Sequence, residues 1–236
     1  MSMTKRIRVA ITASLTMILL SHDLRAAPVL GSSLNIGPTD STANTVNAGS
    51  GAAIGFGNDV PGASLSLFVG YANYALTSCD SSAAFGTENY VAGFANFSFG
   101  YHNSNLGIVG GMNFLMGVFN AIVDGANYSE SSALFGENNY GEGVIGCFVA
   151  GQLNDVRYAN DSIALGTGLI IPAGADSRTV VGKFNFENEA TALFVVGNGT
   201  SSNRSNALVV YANGDARVSG VLRTTAPAGD IPMFVP

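Results

Sequence analysis

Very few side chains in this 236-residue sequence could carry chemistry. It holds two histidines, His22 and His102, and two cysteines, Cys79 and Cys147. His22 falls in an N-terminal stretch that reads as a removable leader, so a Ser-His-Asp triad would have to be built on His102. That residue stands in Gly100-Tyr101-His102-Asn103, a tetrad that recurs along the chain and reads as a turn. One histidine and two distant cysteines cannot complete a four-ligand zinc site without carboxylates. Glu137 and Glu142 could be weighed as a carboxylate pair, but both flank turns, and solvated loops account for them. Gly166-Thr167-Gly168 lacks the following helix that a dinucleotide fingerprint requires, and the Gly/Asp-rich calcium nonapeptide is missing. Sequons at Asn96, Asn127, Asn160, Asn198 and Asn203 are expected by accident in a chain rich in Asn and Ser. No catalytic, cofactor-binding or metal-binding residue is assigned; the expectation is a non-enzymatic protein without a cofactor.

Composition narrows the field further. Charged residues make up 11%, hydrophobic residues 47%, and there are 30 glycines. A disordered chain needs the opposite balance, so most of the length must fold. No Lys or Arg occurs between Arg25 and Arg157. Phosphate backbones require a patch of cations, which excludes nucleic acid as a partner. At the N-terminus, Lys5, Arg6 and Arg8 precede an apolar run over 9–20, then polar Ser21-His22-Asp23 and Ala26-Ala27. That order predicts a secretory signal peptide over 1–26, and the run is too short to span a bilayer as a helix. Its removal takes four basic residues and one acidic residue from a chain of formal net charge −6, leaving −9. The expected location is therefore secreted or at the cell surface.

The elements that would position any site come from a repeat. Gly-x-x-Asn tetrads begin at Gly55, Gly70, Gly86, Gly100, Gly110, Gly136 and Gly151. Asp124 with Asn127 forms a degenerate copy, and Gly166 opens a last one without its Asn. The mean period is about 14 residues, too short for helical-hairpin repeats or propeller blades. Five copies carry a second glycine four residues beyond the Asn, at Gly62, Gly93, Gly107, Gly117 and Gly143. Apolar pairs such as Phe68-Val69, Ala84-Phe85, Ile108-Val109, Leu134-Phe135 and Ala164-Leu165 precede the tetrads. Gly and Asn tolerate positive φ, so the tetrads read as turns and the apolar pairs as strands. Two short strands and two tight turns per coil, stacked in parallel, would let equivalent asparagines form ladders.

Neighbouring strand residues point to opposite faces, so an apolar pair implies that both faces are covered. A thin coil encloses only one row, leaving an apolar stripe about 40 Å long on the outside. Several chains packed side by side would bury it. The cysteines, read as five coils apart, would lie roughly 24 Å from each other along the axis. A disulfide needs Cα atoms within about 7 Å, so two free, buried thiols are expected.

The tetrads, with Ala53-Ile54-Gly55, Ser82-Ala83-Ala84-Phe85-Gly86 and Ser162-Ile163-Ala164-Leu165-Gly166, resemble the YadA-like head repeats of trimeric autotransporter adhesins. The resemblance implies an all-β, left-handed parallel β-roll that forms a homotrimer and presents a surface to extracellular protein or glycan ligands. It covers residues 51–170. A second block, with strands read at 192–196, 207–211 and 216–221, is similar to segments that follow head repeats in secreted and phage-tail-fibre-like proteins. It would cap the open end of the solenoid. The expected organisation is a signal peptide (1–26), a linker (27–50), the head-repeat β-roll (51–172), a capping segment (173–222) and a tail (223–236). The heptad stalk and membrane barrel of the adhesin family are missing from this reading. The leading expectation is a secreted adhesin-like head. The alternatives are a fibre or collar component of a secreted or phage-tail-like particle, or a solenoid enzyme acting on polysaccharides. The last is disfavoured because a cleft without Lys or Arg cannot neutralise an acidic sugar polymer.

Overall fold

Each tetrad builds one corner of a coil. In Leu67–Tyr71 the glycine is the fourth strand residue, the chain turns over Ala72, Asn73 points inward, and the short strand Tyr74–Ala75 follows. A computed structural model describes residues 34–38, 43–46, 51–60, 65–76, 79–107, 111–124, 128–189 and 191–220. Among these there is no helix. Strands alternate long and short, and the two kinds separate into a thirteen-stranded and a nine-stranded sheet. Both are parallel, apart from the last three strands of the larger sheet, which run antiparallel to one another. The molecule is a parallel β-solenoid of about ten turns of roughly 15 residues, closed by an antiparallel cap.

The glycine is required by contact as well as by conformation. Gly70 has φ +126°, and a Cβ built on it would lie 1.9 Å from the carbonyl oxygen of Gly86 in the next coil. No side chain survives that overlap, so Gly pairs with Gly in register from Gly55 to Gly197. The expected asparagine ladder is present, but the positive φ read for the asparagine belongs to the residue before it. The left-handed residue is the third of the tetrad, at Ala72, Glu88, His102, Phe119, Asn138 and Leu153. The asparagines are instead buried and joined through their side-chain amides. Asn120 Nδ2 donates to Asn103 Oδ1 at 3.1 Å, to Met116 O at 3.2 Å and to Gly136 O at 2.9 Å. Its own Oδ1 accepts from the backbone N and Nδ2 of Asn139 at 3.1 and 2.9 Å. An interior amide is tolerated because its donors and acceptor are all used. The ladder runs from Asn44 to Asn154 and stops where Leu169 takes the inward position.

A second ladder occupies the opposite corner, immediately before each long strand. Ser66 Oγ accepts from Ser82 N, Ser82 Oγ from Asn96 N, and Asn96 Oδ1 from Asn113 N. Asn113, Ser132 and Ser162 continue it, with Cys147 between the two serines donating its backbone N–H to Ser132 Oγ. Between the ladders lies the apolar filling, one side chain from each strand, including Phe68, Leu115, Leu134 and Val149 from the long strands and Val91, Ile122 and Val156 from the short ones. Burying each of these contributes about 1.5–3 kcal/mol.

Several boundaries differ from the sequence reading. Asn113 does not complete a tetrad of the glycine stack with Gly110. Gly117 and Asn120 form that turn, and Asn113 belongs to the second ladder. The period is accordingly longer than 14, and the cysteines lie four coils apart, Cys79 preceding Ala83–Thr87 and Cys147 preceding Phe148–Gln152. Both remain free and buried. The parallel stack starts earlier than residue 51, with Leu34–Ile36 and Thr45–Val46 inside the expected linker. It also continues past residue 172 through Thr179–Lys183 and Ala192–Asn198. The antiparallel cap comprises Ala192–Asn198, Asn206–Tyr211 and Ala216–Val218, close to the three strands expected. The leader, the tail, Val221, Gly62, Ile108, Val109, Gly110 and Asn127 lie outside the described residues.

Candidate functional site

The residues with chemical potential are each engaged locally, and the structure does not bring them together. His102 occupies the left-handed corner of its tetrad at φ 55°, where Nδ1 lies 3.2 Å from Glu88 Oε2 of the preceding coil. Its ring packs against Tyr90, Tyr101 and Phe119. Glu137 Oε2 accepts from Gln152 Nε2 at 2.9 Å on the long-strand side. Glu142 faces the short-strand side, where the Tyr140 and Tyr158 hydroxyls donate to it. Arg157 makes a forked pair with Asp155 at 2.8 and 2.9 Å and lies over the Tyr140 ring. The Cys79 thiol is pushed up to about 11 by burial, and burial raises Cys147 as well. Burial therefore favours the protonated, less nucleophilic form of both thiols. Among the described residues no group of three His, Cys, Asp or Glu side chains is placed to hold a metal ion. Gly166 belongs to the glycine stack, and the carbonyl of Gly168 receives Arg204 Nη1 at 2.7 Å.

The cap holds a deeply engaged charged network. Arg178 donates Nε to Ala192 O at 3.0 Å and Nη2 to Glu189 O at 2.7 Å. Burial pushes the Glu189 carboxyl up, but donation from Tyr211, Arg217 and Asn206 outweighs it and holds the group below its ordinary value. A cleft of about 460 Å³ opens beside Arg178, bordered by Pro172, Glu187 and Thr191. The guanidinium spends at least three donors on carbonyls of this loop, so its first task is to hold the chain where parallel stacking gives way to the antiparallel hairpin.

The larger feature is a face. Strand alternation sends the first and third residues of each long strand outward. The third position carries Ile54, Val69, Phe85, Phe99, Met116 and Phe135, and then Ala150, Leu165 and Val181. The first position is equally apolar, with Leu67, Phe97, Phe114, Phe148 and Ile163. Rings of the two rows stack into one another, Phe85 on Phe99 at 4.9 Å, Phe99 on Phe114 at 5.3 Å and Phe114 on Phe135 at 5.5 Å. Met116 is 43% exposed and Phe148 41%. With strands about 4.8 Å apart, the two rows present on the order of 500 Å² of apolar surface. That is at the upper end of what single soluble chains expose.

Fold and face together define a class: a short-coil parallel β-solenoid with internal asparagine and glycine stacks, a capped C-terminal end and an apolar flank. Comparison with known proteins adds no relative, since no family model, no curated protein and no solved structure matches the chain.

Proposed function

We propose that this chain is an exported, non-enzymatic binding head of the adhesin type, working as a homotrimer whose protomers pack through the outer face of the larger sheet. The apolar first and third rows of the long strands carry this reading. In the coil 97–113 they even invert the usual preference, with Phe97 and Phe99 outside and Ser98 inside. Such a pattern is favourable only where the outside is covered. The resemblance to trimeric adhesin heads supports the count of three. The short-strand side and its corner, where Tyr90, Tyr101, His102 and Phe119 cluster, are left to meet an extracellular protein or glycan.

Sedimentation of the exported chain tests the assembly, with an elongated trimer expected. A stable, soluble monomer overturns it. Met116→Glu, placed in the middle of the face, is expected to dissociate the assembly while leaving the coils folded. Retention of the trimer on immobilised matrix proteins or cell-wall glycans tests the binding role. A trimer that no ligand retains would instead be a structural fibre component.

A further inference from the structure

We propose that the coil 97–113 divides the solenoid into two cooperative units that open separately, although the backbone ladders cross it without a break. Among the described residues the apolar interior is not continuous. One cluster runs from Ala53 to Val91 through Phe68, Ala75, Cys79 and Ala84. The other starts at Leu115 and Ile122 and continues into the cap. Between them, the inward positions on the two strands of a single coil, Phe97–Tyr101 and Ser104–Leu106, are polar. Ser98 stands in register between Ala84 and Leu115, and Asn105 between Val91 and Ile122. Both are fully buried. Asn105 spends Nδ2 on Phe97 O at 3.3 Å and Asn113 O at 3.1 Å, while Asn105 Oδ1 and Ser98 Oγ have no hydrogen-bond partner. The coil therefore carries two unsatisfied polar atoms at the place where its neighbours on either side contribute hydrocarbon.

In a stack where each repeat touches only its neighbours, cooperativity is transmitted by the interface between adjacent coils. Here that interface keeps its glycine pairing, its asparagine ladder through Gly100 and Asn103 and the outer stack of Phe85, Phe99 and Phe114, but its strands lose the apolar contact inside the coil. The native structure stays continuous while the coupling weakens, so the parts on either side open with different free energies. Among the described residues the N-terminal cluster is the smaller and richer in alanine, so it opens first. This inference concerns contacts within one chain and does not rest on the assembly proposed above.

Each unit contains its own reporter, Cys79 in the first cluster and Cys147 in the second. Pulsed thiol labelling of the wild-type chain through a denaturant titration, with peptide mapping, reads the two units separately. Cys79 is expected to become reactive at lower denaturant, and at least tenfold faster than Cys147 where both remain native. Coincident labelling of the two thiols overturns the proposal, and this measurement requires no substitution. The double variant Ser98→Val, Asn105→Val reproduces the coil 148–162, whose inward residues are Val149 and Val156. In it the two labelling curves are expected to merge. Curves that stay apart in a folded variant would overturn the assignment of the break to this coil.

Discussion

The body of the solenoid and its cap solve the same problem, buried polar groups, in opposite ways. In the body the groups are neutral and repeated, so each coil supplies what the next one needs. Asn103, Asn120 and Asn139 differ in neighbours but make the same set of bonds. The cap has no next coil to lean on. It uses Arg178 on three carbonyls and a carboxylate, Glu189, fixed by Tyr211, Asn206 and Arg217. Repetition makes a neutral ladder sufficient, whereas termination needs a one-off arrangement, and charge supplies stronger and more directional bonds for it.

That contrast can be broken most sharply within a single tetrad. Gly55→Ala puts a methyl 2.0 Å from Gly70 O and should abolish soluble, folded protein, whereas at Gly57, φ 60°, a Cβ meets nothing within 4 Å. Gly57→Ala should cost only about 1 kcal/mol, the left-handed penalty that Ala72 already bears in the next coil. Chemical denaturation of the pair gives the comparison. Next in size, Asn120→Ala should destabilise by about 3–5 kcal/mol, because Asn103 and Asn139 lose partners on both sides. Asn154→Ala should cost visibly less, since the following rung is Leu169 and asks only for an acceptor at its backbone N. Equal losses at the two sites would mean the ladder does not act as a chain of mutual bonds.

For the cap, Glu189→Gln should cost about 2 kcal/mol by weakening charge-assisted bonds to Arg217 and Tyr211. Because the Glu189 carboxyl is held below its ordinary 4.5, its contribution is complete above that pH and disappears as pH falls through the depressed value. Hydrogen exchange in the cap strands of the wild type should rise on acidification through that range, and the Gln variant should lack this acid step. The smallest effect is expected at His102. His102→Ala keeps the left-handed corner and loses a partly exposed contact with Glu88 together with its ring contacts to Tyr90, Tyr101 and Phe119. Thermal melting should therefore register a loss below about 1 kcal/mol.

How much of this is legible in the sequence depends on whether a signal is local. The glycine stack and the strand pairs can be read because Gly-x-x-Asn keeps its spacing from Gly55 to Asn103. The reading fails at 108–120, where two overlapping spellings compete. Gly110 and Asn113 have the right letters, but Asn113 serves the other corner, and Gly117 with Asn120 makes the true turn. The first coil escapes notice because Asn44, which starts the ladder, stands seven positions after Gly37 and so breaks the spacing. Gly182 with Asn185 fits the pattern, yet its neighbours Val180 and Val181 resemble the strands that follow and draw it into the cap. The ladder of Ser66, Ser82, Asn96 and Asn113 leaves a trace, a small polar residue just before each apolar strand. Serine at a strand entrance has many other uses, however, and only the stacked coils reveal that each accepts the next backbone N–H. Of the candidate site, the apolar flank follows from the paired residues, while the corner around His102 does not, because its rings come from different strands and turns.

The third position of the tetrad has a consequence of another kind. Ala72, Glu88, His102, Phe119, Asn138 and Leu153 share one strained backbone conformation and point away from the interior. Since the strain is modest for residues that are not β-branched, and none of these six is, the coil accepts a wide choice of unbranched and aromatic side chains there. Mutation can therefore rewrite this row letter by letter, giving the protein an evolvable strip along its axis whose contents change without renegotiating the fold beneath.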